Sequence, residues 1–81
     1  MNVTLHLFAV ARELAQSDTL ELELPEGATV GQLREHLAAE HPALAEILPH
    51  VLFAVDSEYV DNERTLSPEC QIACIPPVSG G

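Results

Sequence analysis

The last six residues of the chain carry its clearest chemical signal, and they read Pro76-Pro77-Val78-Ser79-Gly80-Gly81. Two prolines end a β-ladder and keep the backbone extended, so we expect them to project the segment away from a sheet. Two glycines without side chains then form a thread thin enough to enter a narrow pocket of another protein. The Gly81 carboxylate at its tip could be activated by adenylation, after which a nucleophile could displace AMP.

The other residues that could take part in catalysis or metal binding do not form a recognisable catalytic motif in the sequence. His36 and His41 lie about 140° apart around a helix, so they cannot share a metal ion, and we interpret them as surface residues. His6 and His50 have no partner nearby in sequence, which favours structural roles. The four glycines do not fit a phosphate-binding loop, and no pair of glutamates is singled out for acid–base chemistry. We therefore predict no metal site.

The two cysteines, Cys70 and Cys74, give no sign of a disulfide. Gln71 to Ile75 is predicted to be a strand, in which positions four apart lie on one face about 13 Å apart, beyond disulfide reach. Cys74 is interpreted as a small core residue. Unpaired cysteines favour a reducing, cytoplasmic location. The sequence also shows neither a signal peptide nor an apolar run of ~20 residues, so no membrane association is expected.

The charge balance limits the classes of partner. Three arginines, no lysine and 13 acidic side chains give a formal net charge of −10. Nucleic acids and anionic membranes require a basic face, which three scattered arginines cannot form. A protein partner with a basic patch is expected instead. The alternative is that the acidity serves only solubility or reflects a salty habitat.

The elements that must hold the terminal segment follow from the hydrophobic periodicity. Alternating apolar residues predict strands from Met1 to Phe8 and from Thr19 to Leu24. Between them, Ala9 to Ala15 is rich in helix-forming residues and predicts a short helical turn. With 81 residues, the chain is long enough for one small domain only.

A longer helix follows, and the sequence indicates the residue at which it begins. Thr29 and Gln32 have the spacing of a capping box, and Pro42 predicts that the helix ends near His41. A further helical turn is expected between Ala43 and Leu48. The buried stripe of the helix is predicted to be Val30, Leu33 and Leu37. The water-facing residues are predicted to be Arg34, Glu35 and Glu40.

The second half of the chain predicts three further strand segments. Val51 to Val55 and Glu58 to Val60 flank the polar turn Asp56-Ser57, and the apolar run Ile72 to Ile75 is suited to a central strand covered on both sides. The intervening loop has one large apolar residue, Leu66, which is expected to point inward. Two apolar-faced strands followed by one long helix predict an α+β domain with a sheet packed on the helix.

Several motifs together give a resemblance that covers essentially the whole chain. They are Leu7-Phe8-Ala9 with Arg12-Glu13, Val30-Gly31-Gln32-Leu33, Phe53-Ala54-Val55 followed by Tyr59-Val60, and Ile75 to Gly81 (IPPVSGG). With them the chain resembles the ubiquitin-like β-grasp sulfur carriers and, within that family, the small subunits of molybdopterin synthase. The resemblance implies a mixed sheet of about five strands packed on one main helix. It also implies a β-grasp domain at residues 1–75 and an extended diglycine tail at residues 76–81.

The same resemblance implies a non-catalytic carrier that binds no cofactor of its own. An enzyme related to ubiquitin-activating enzymes would use ATP to adenylate the Gly81 carboxylate, and a sulfur donor protein with a persulfide would convert it to a thiocarboxylate. The large catalytic subunit would then pass this sulfur to cyclic pyranopterin monophosphate, in molybdenum cofactor biosynthesis. Two such dimers would join through their large subunits as a heterotetramer. The tail residues in the partner's pocket would be Pro76, Pro77, Val78, Ser79 and Gly80.

Three alternatives remain open at this stage. The first is a sulfur carrier of another pathway, such as the thiamine-type carrier, which generally lacks the Arg12-Glu13 turn and the Pro-Pro ending. The second is a protein modifier joined to target lysines through Gly81, because the activation chemistry is shared. The third is a passive acidic interaction module whose last residues have no chemical role.

Overall fold

The structure, a computed structural model, describes residues 1–77. Two strands alternate with two helices in the first half of the chain, and three strands follow in the second half. Two short 3₁₀ turns lie between the second helix and the third strand. No helix in this range is both long and apolar enough to span a membrane. The elements in chain order are β1 (Asn2–Leu7), α1 (Ala9–Ala15), β2 (Thr19–Glu23), α2 (Val30–Glu40), β3 (Leu52–Val55), β4 (Glu58–Val60) and β5 (Gln71–Ile75).

The sheet is mixed, and its last strand in sequence is its central strand in space. The five strands hydrogen-bond in the order β2-β1-β5-β3-β4. β5 runs parallel to β1 and antiparallel to β3, while the two outer pairs, β1–β2 and β3–β4, are antiparallel. The predicted α+β fold, with a sheet of five strands packed on one main helix, is confirmed, as is the central position of β5.

Helix α2 begins at the predicted capping box. The Thr29 side-chain oxygen accepts a hydrogen bond from the backbone N–H of Gln32 at 3.3 Å, and Gln32 Oε1 accepts one from the backbone N–H of Thr29 at 2.8 Å. These bonds satisfy two of the donors that a helix start leaves unpaired. The helix ends at Glu40, before Pro42, as predicted.

The core lies between α2 and one face of the sheet. The three predicted residues of the helix stripe are each fully buried, and alternate residues of β1 and β5 are buried opposite them. Leu66 is 3% exposed, which confirms its predicted inward position in the long loop. The largest fully buried side chains include Phe53, Leu5, Leu33, Leu37, Leu44, Leu48 and Ile72.

The connection between α2 and β3 differs from the prediction. A helical turn was expected from Ala43 to Leu48, but the structure has two 3₁₀ turns, at Pro42–Leu44 and Leu48–His50. Each turn has a proline in its first two positions, where the missing N–H leaves no donor unpaired. Their apolar residues Leu44 and Leu48 are buried, so the connection closes one end of the core.

Arg34 departs from the prediction because its side chain packs inward instead of facing water. Its Nη1 donates to the carbonyl of Val51 at 2.9 Å and also to that of Leu48. Its Nε and Nη2 donate to Oδ1 of Asn62 at 3.2 and 3.0 Å. The guanidinium lies 4.8 Å from the centre of the Phe53 ring, within cation–π range. Burial lowers the pKa of Arg34, yet a guanidinium remains charged at neutral pH.

We predict that Arg34→Met lowers the free energy of unfolding by about 2–3 kcal/mol, because it leaves two backbone carbonyls without their charged donor. Arg12→Met is the matched control, since Arg12 and Asp18 are both exposed and their 3.7 Å ion pair contributes little. Urea unfolding followed by circular dichroism measures both. Equal stability losses in the two variants would contradict the role assigned to Arg34.

Candidate functional site

The candidate site is built around the point where β5 ends. β5 ends at Ile75, and Pro76 and Pro77 follow without a strand hydrogen bond because proline has no backbone N–H to donate. Pro76 is buried against the body of the domain, whereas Pro77 is exposed. The chain therefore leaves the middle of the sheet from a fixed point. The remaining residues of the predicted tail lie outside the described part of the chain: Val78, Ser79, Gly80 and Gly81.

The sheet face turned away from α2 is uncovered. The expectation that the β5 segment is covered on both sides is wrong, because the elements of residues 1–77 form a helical layer on one face only. Ile72 and Cys74 point into the core and are fully buried. Ala73 and Ile75 point to the opposite face and are half-buried. The apolar character of this strand therefore continues onto the molecular surface.

A groove of about 480 Å³ crosses this open face, lined by Phe8, Ala54, Ser57, Tyr59, Ala73 and Ile75. Ala54 of β3 and Ala73 of β5 are directly paired and form its floor. Phe8 and Tyr59 lie on opposite sides of this pair, and they are 49% and 67% exposed. Exposed aromatic side chains around an apolar depression are typical of a surface that binds another molecule.

The open face becomes polar toward the other end of β5. His6 Nε2 and Gln71 Oε1 are joined by a hydrogen bond of 2.6 Å. The backbone N–H of Asp56 donates to the carbonyl of Gln71 at 3.0 Å. The predicted turn at Asp56-Ser57 is confirmed, and its left-handed φ angles of 49° and 71° match a two-residue hairpin turn. The apolar groove thus has a hydrogen-bonding border on one side.

The arginines leave most of the acidic surface unneutralised. Arg12 lies 3.7 Å from Asp18, and Arg64 lies 3.4 Å from Glu58. Arg34 is bound to backbone carbonyls, and the sequence contains no lysine. The formal charge of −10 therefore remains available to attract a basic surface.

The two cysteines are free thiols inside the core. Burial raises the pKa of Cys70, and burial raises the pKa of Cys74 to about 11. Both thiols are therefore protonated at neutral pH, and a protonated thiol is a poor nucleophile. The interpretation of Cys74 as a small core residue is confirmed by its complete burial.

The histidines are spread over the molecule. His36 Nε2 lies 3.2 Å from Glu40 of the same helix, and both His36 and His41 are half-buried rather than fully exposed. Within residues 1–77, no three His, Cys, Asp or Glu side chains are placed to hold a metal ion. The grooved face and the point where the chain leaves β5 are the candidate functional features of residues 1–77.

The ThiS family model matches residues 5–81 of the chain. The chain belongs to the ThiS family. The match begins inside β1 and includes the diglycine end. It also includes β5 and the two prolines that follow, so the geometry described above is that of a ThiS-family domain.

The relatives of this ThiS-family chain agree with the resemblance. It is 36% identical over 75 residues to the molybdopterin synthase sulfur carrier subunit of Arabidopsis thaliana, covering 93% of this chain and 78% of that protein. The corresponding subunit of Chlamydomonas reinhardtii is 35% identical, with 100% of both chains covered. The crystal structure of SAMP1 from Haloferax volcanii superposes with a TM-score of 0.87 at 28% identity, covering 100% of both chains. The predicted resemblance to sulfur carriers with a ubiquitin-like β-grasp fold is confirmed.

Sequence reasoning did not identify the groove. Its floor combines Ala54 and Ala73, which are far apart in sequence. Its sides come from Phe8, which follows β1, and from Tyr59 on β4. One signal was present, because the alternation of the predicted first strand places Phe8 opposite to Val3, Leu5 and Leu7. A large aromatic residue on a face that carries no core residues indicates a contact surface.

The thiols give a direct test of the packing beside the site. A small thiol reagent at neutral pH should modify the folded chain at least about tenfold more slowly than the chain in denaturant, because burial and a raised pKa both suppress the thiolate. Absorbance of the released chromophore measures the rate, and the denatured chain serves as the control. Equal rates would contradict the buried, protonated state of Cys70 and Cys74.

Proposed function

We propose that this chain is the sulfur carrier subunit of a molybdopterin synthase and that the Gly81 carboxyl group carries the sulfur as a thiocarboxylate. The observation that carries the proposal is the full-length similarity to curated sulfur carrier subunits, within a family match that extends to Gly81. The chain itself is then a non-catalytic subunit that binds no cofactor. Its reactive group is its own carboxyl terminus.

The cysteine thiols of the domain are the alternative groups that could accept sulfur, and their burial supports the proposal that the tail carries it. Both thiols are buried and protonated, so neither is suited to accept sulfur from a donor. In the described part of the chain, no cluster of titratable side chains forms a metal site. A carboxyl group at the end of a slender diglycine thread has the access that these buried groups lack.

The proposed chemistry runs in three steps on partner proteins. An adenylating enzyme transfers AMP from ATP to the Gly81 carboxylate and releases pyrophosphate. The terminal sulfur of a donor persulfide then attacks the acyl carbon and displaces AMP, and a second thiol outside this chain cleaves the resulting acyl disulfide. In the active site of the large subunit, the thiocarboxylate sulfur bonds to cyclic pyranopterin monophosphate. Water then cleaves the bond between this sulfur and the acyl carbon and restores the Gly81 carboxylate.

The position where the chain leaves β5 is compatible with a carrier that binds two partners one after the other. The adenylating enzyme and the large subunit must both receive the same tail, so they bind the carrier in turn. Pro76 is buried against the body and the ring of Pro77 fixes its own φ angle, which reduces the entropy lost when a partner's pocket orders the tail. We further propose that two carriers and two large subunits form a heterotetramer, joined through the large subunits. The free cysteines favour the cytoplasm as the location.

A second function, as a protein modifier, is favoured by one specific observation. The structure of SAMP1 from Haloferax volcanii, a small archaeal modifier protein, superposes on this chain over its full length. An activated Gly81 carboxylate could equally acylate a lysine of a target protein. Because this sequence has no lysine, such a modifier would be attached singly and could not be extended through its own side chains. Denaturing blots of cell extract distinguish this function by revealing covalent adducts.

We predict that the intact mass of the chain, purified from cells that contain its adenylating enzyme, shows one oxygen replaced by sulfur. Deleting Gly81 should abolish both this mass change and molybdopterin formation by the synthase, because the remaining carboxyl group is one residue too short to reach the same position. Ser79→Ala keeps the length and the diglycine end and should retain both. A sulfur-loaded chain that lacks Gly81 would contradict the proposal.

The acidic surface leads to a separate prediction about the salt dependence of binding to the large subunit. Raising NaCl from about 0.05 M to about 0.5 M should weaken binding of the carrier to the large subunit roughly tenfold, because the salt screens attraction between unlike surface charges. Isothermal titration calorimetry measures this dependence. A Kd independent of salt would instead favour the view that the acidity serves only solubility.

A further inference from the structure

A hydrogen bond from Arg34 fixes one peptide group at the start of β3. Nη1 of Arg34 donates to the carbonyl of Val51 at 2.9 Å. This carbonyl belongs to the same planar peptide unit as the N–H of Leu52, and in a trans peptide the two groups point in opposite directions. By binding one side of the unit, Arg34 therefore sets the direction of the N–H on the other side.

The N–H of Leu52 lies at the last pair of the β3–β5 ladder. Leu52 is paired with Ile75, the residue at which β5 ends. Hydrogen-bonded pairs recur at every second position of an antiparallel ladder, and the bond from the Asp56 N–H to the Gln71 carbonyl sets the phase of this recurrence. The Leu52–Ile75 pair lies four positions along the same ladder and is therefore a hydrogen-bonded pair. Arg34 thus acts on the pair that holds the end of β5.

Arg34 takes the place of a further strand partner beside β3. The β3–β4 pairing ends at Phe53 and Val60, so the carbonyl of Val51 lies beyond the last pair. The guanidinium lies between this carbonyl, which binds Nη1, and Oδ1 of Asn62, which binds Nε and Nη2. Because it is bound on both sides, the planar group is held in one orientation.

We propose that Arg34 is a positioning residue for the tail, acting through the start of β3 and its pairing with the end of β5. This inference rests on the proposed function, and it adds a residue on which the presentation of the Gly81 carboxyl group depends. An adenylating enzyme that holds the domain must receive this carboxyl group at its reaction centre. Misplacement of a reacting group by about 1 Å can lower the rate of a chemical step by as much as about 100-fold.

The two prolines carry the position of Ile75 into the residues that follow. Pro76 is buried against the domain, and the rings of Pro76 and Pro77 fix their own φ angles. A displacement at the end of β5 is therefore passed on instead of being absorbed by free rotation at the next two residues. Gly81 is six residues beyond Ile75. In an extended tail of at most about 20 Å, a tilt of about 10° at the exit moves the tip by roughly 3 Å.

Arg34 lies on the helix side of the sheet, away from the grooved face. Its guanidinium is 4.8 Å from the centre of the Phe53 ring, which is buried in the core, and other residues line the groove. Replacing Arg34 therefore leaves the side chains of the open face unchanged. The positioning role predicts a lower kcat at an unchanged KM for the carrier, because the domain still binds while its carboxyl group is misplaced.

Hydrogen exchange measured by NMR on the full-length chain tests the local part of the proposal. In Arg34→Met, we expect the amide protons of Leu52 and Ile75 to exchange at least about tenfold faster, relative to that of Leu22 in β2, than in the wild-type chain. Leu66→Ala is the matched control, because it removes a buried side chain of the long loop and also lowers the free energy of unfolding. It should not raise this ratio.

Carrier-dependent exchange of labelled pyrophosphate into ATP, catalysed by the purified adenylating enzyme, tests the functional part. We expect Arg34→Met to lower kcat at least about tenfold and to change KM for the carrier less than about threefold. Leu66→Ala should keep kcat within about twofold of wild type, at a temperature at which circular dichroism shows both variants to be folded. Arg34→Lys keeps a charged donor for the two carbonyls and should restore kcat to within about twofold.

Asn62→Ala keeps the proposal testable if Arg34→Met does not fold. It removes the bonds that orient the guanidinium and should lower kcat about fivefold, with a smaller rise in the relative exchange of Leu52 and Ile75. An unchanged kcat or an unchanged exchange ratio in the variants that fold overturns the proposal. A fall in kcat that Leu66→Ala reproduces, or that Arg34→Lys does not reverse, also overturns it, because the effect is then one of general stability.

The two measurements separate this inference from the proposed function. Faster relative exchange at Leu52 and Ile75, with no adenylation of the wild-type chain, supports the action of Arg34 on the end of β5 and contradicts the carrier chemistry. Adenylation and sulfur loading of the Arg34→Met chain at the wild-type kcat support the carrier chemistry and contradict the positioning role.

Discussion

The pairing of β5 with β1 on one side and β3 on the other is the constraint on which the rest of the structure depends. This strand comes last in the sequence, and it joins the β1–β2 pair to the β3–β4 pair. It buries Ile72 and Cys74 against the helix and presents Ala73 and Ile75 on the other face. It also sets the point from which the tail leaves. One strand thus joins the core, the grooved open face and the point from which the last residues of the chain leave the sheet.

Much of the fold could be predicted because its signals are local. The capping box at Thr29 and Gln32, the stripe formed by Val30, Leu33 and Leu37, and the alternation of the first strand each depend on residues within a few turns of one another. These patterns identify which side of each element is buried. They do not reveal how many layers cover a sheet, and for that reason the outer face of β5 was predicted to be covered.

Two features that the sequence did not predict share one physical cause, namely contacts between distant segments. Arg34 occupies a helix position that faces water by periodicity alone, yet carbonyls of the segment before β3 and the amide of Asn62 draw it inward. The groove likewise depends on the register of β3, β4 and β5 and on the position of Phe8 beyond the end of β1, which single-strand patterns cannot predict. The last six residues differ, since the chemistry predicted for them rests on their composition alone and needs no knowledge of the fold.

The burial of both cysteines has a consequence for selectivity among sulfur atoms. In the proposed function, the carrier repeatedly approaches a donor persulfide, and persulfides exchange readily with any accessible thiolate. Because Cys70 and Cys74 lie in the core, the folded body presents no thiol that could compete with the acyl carbon for the incoming sulfur. The core packing that stabilises the sheet therefore also keeps the body inert toward the sulfur donor of the proposed reaction.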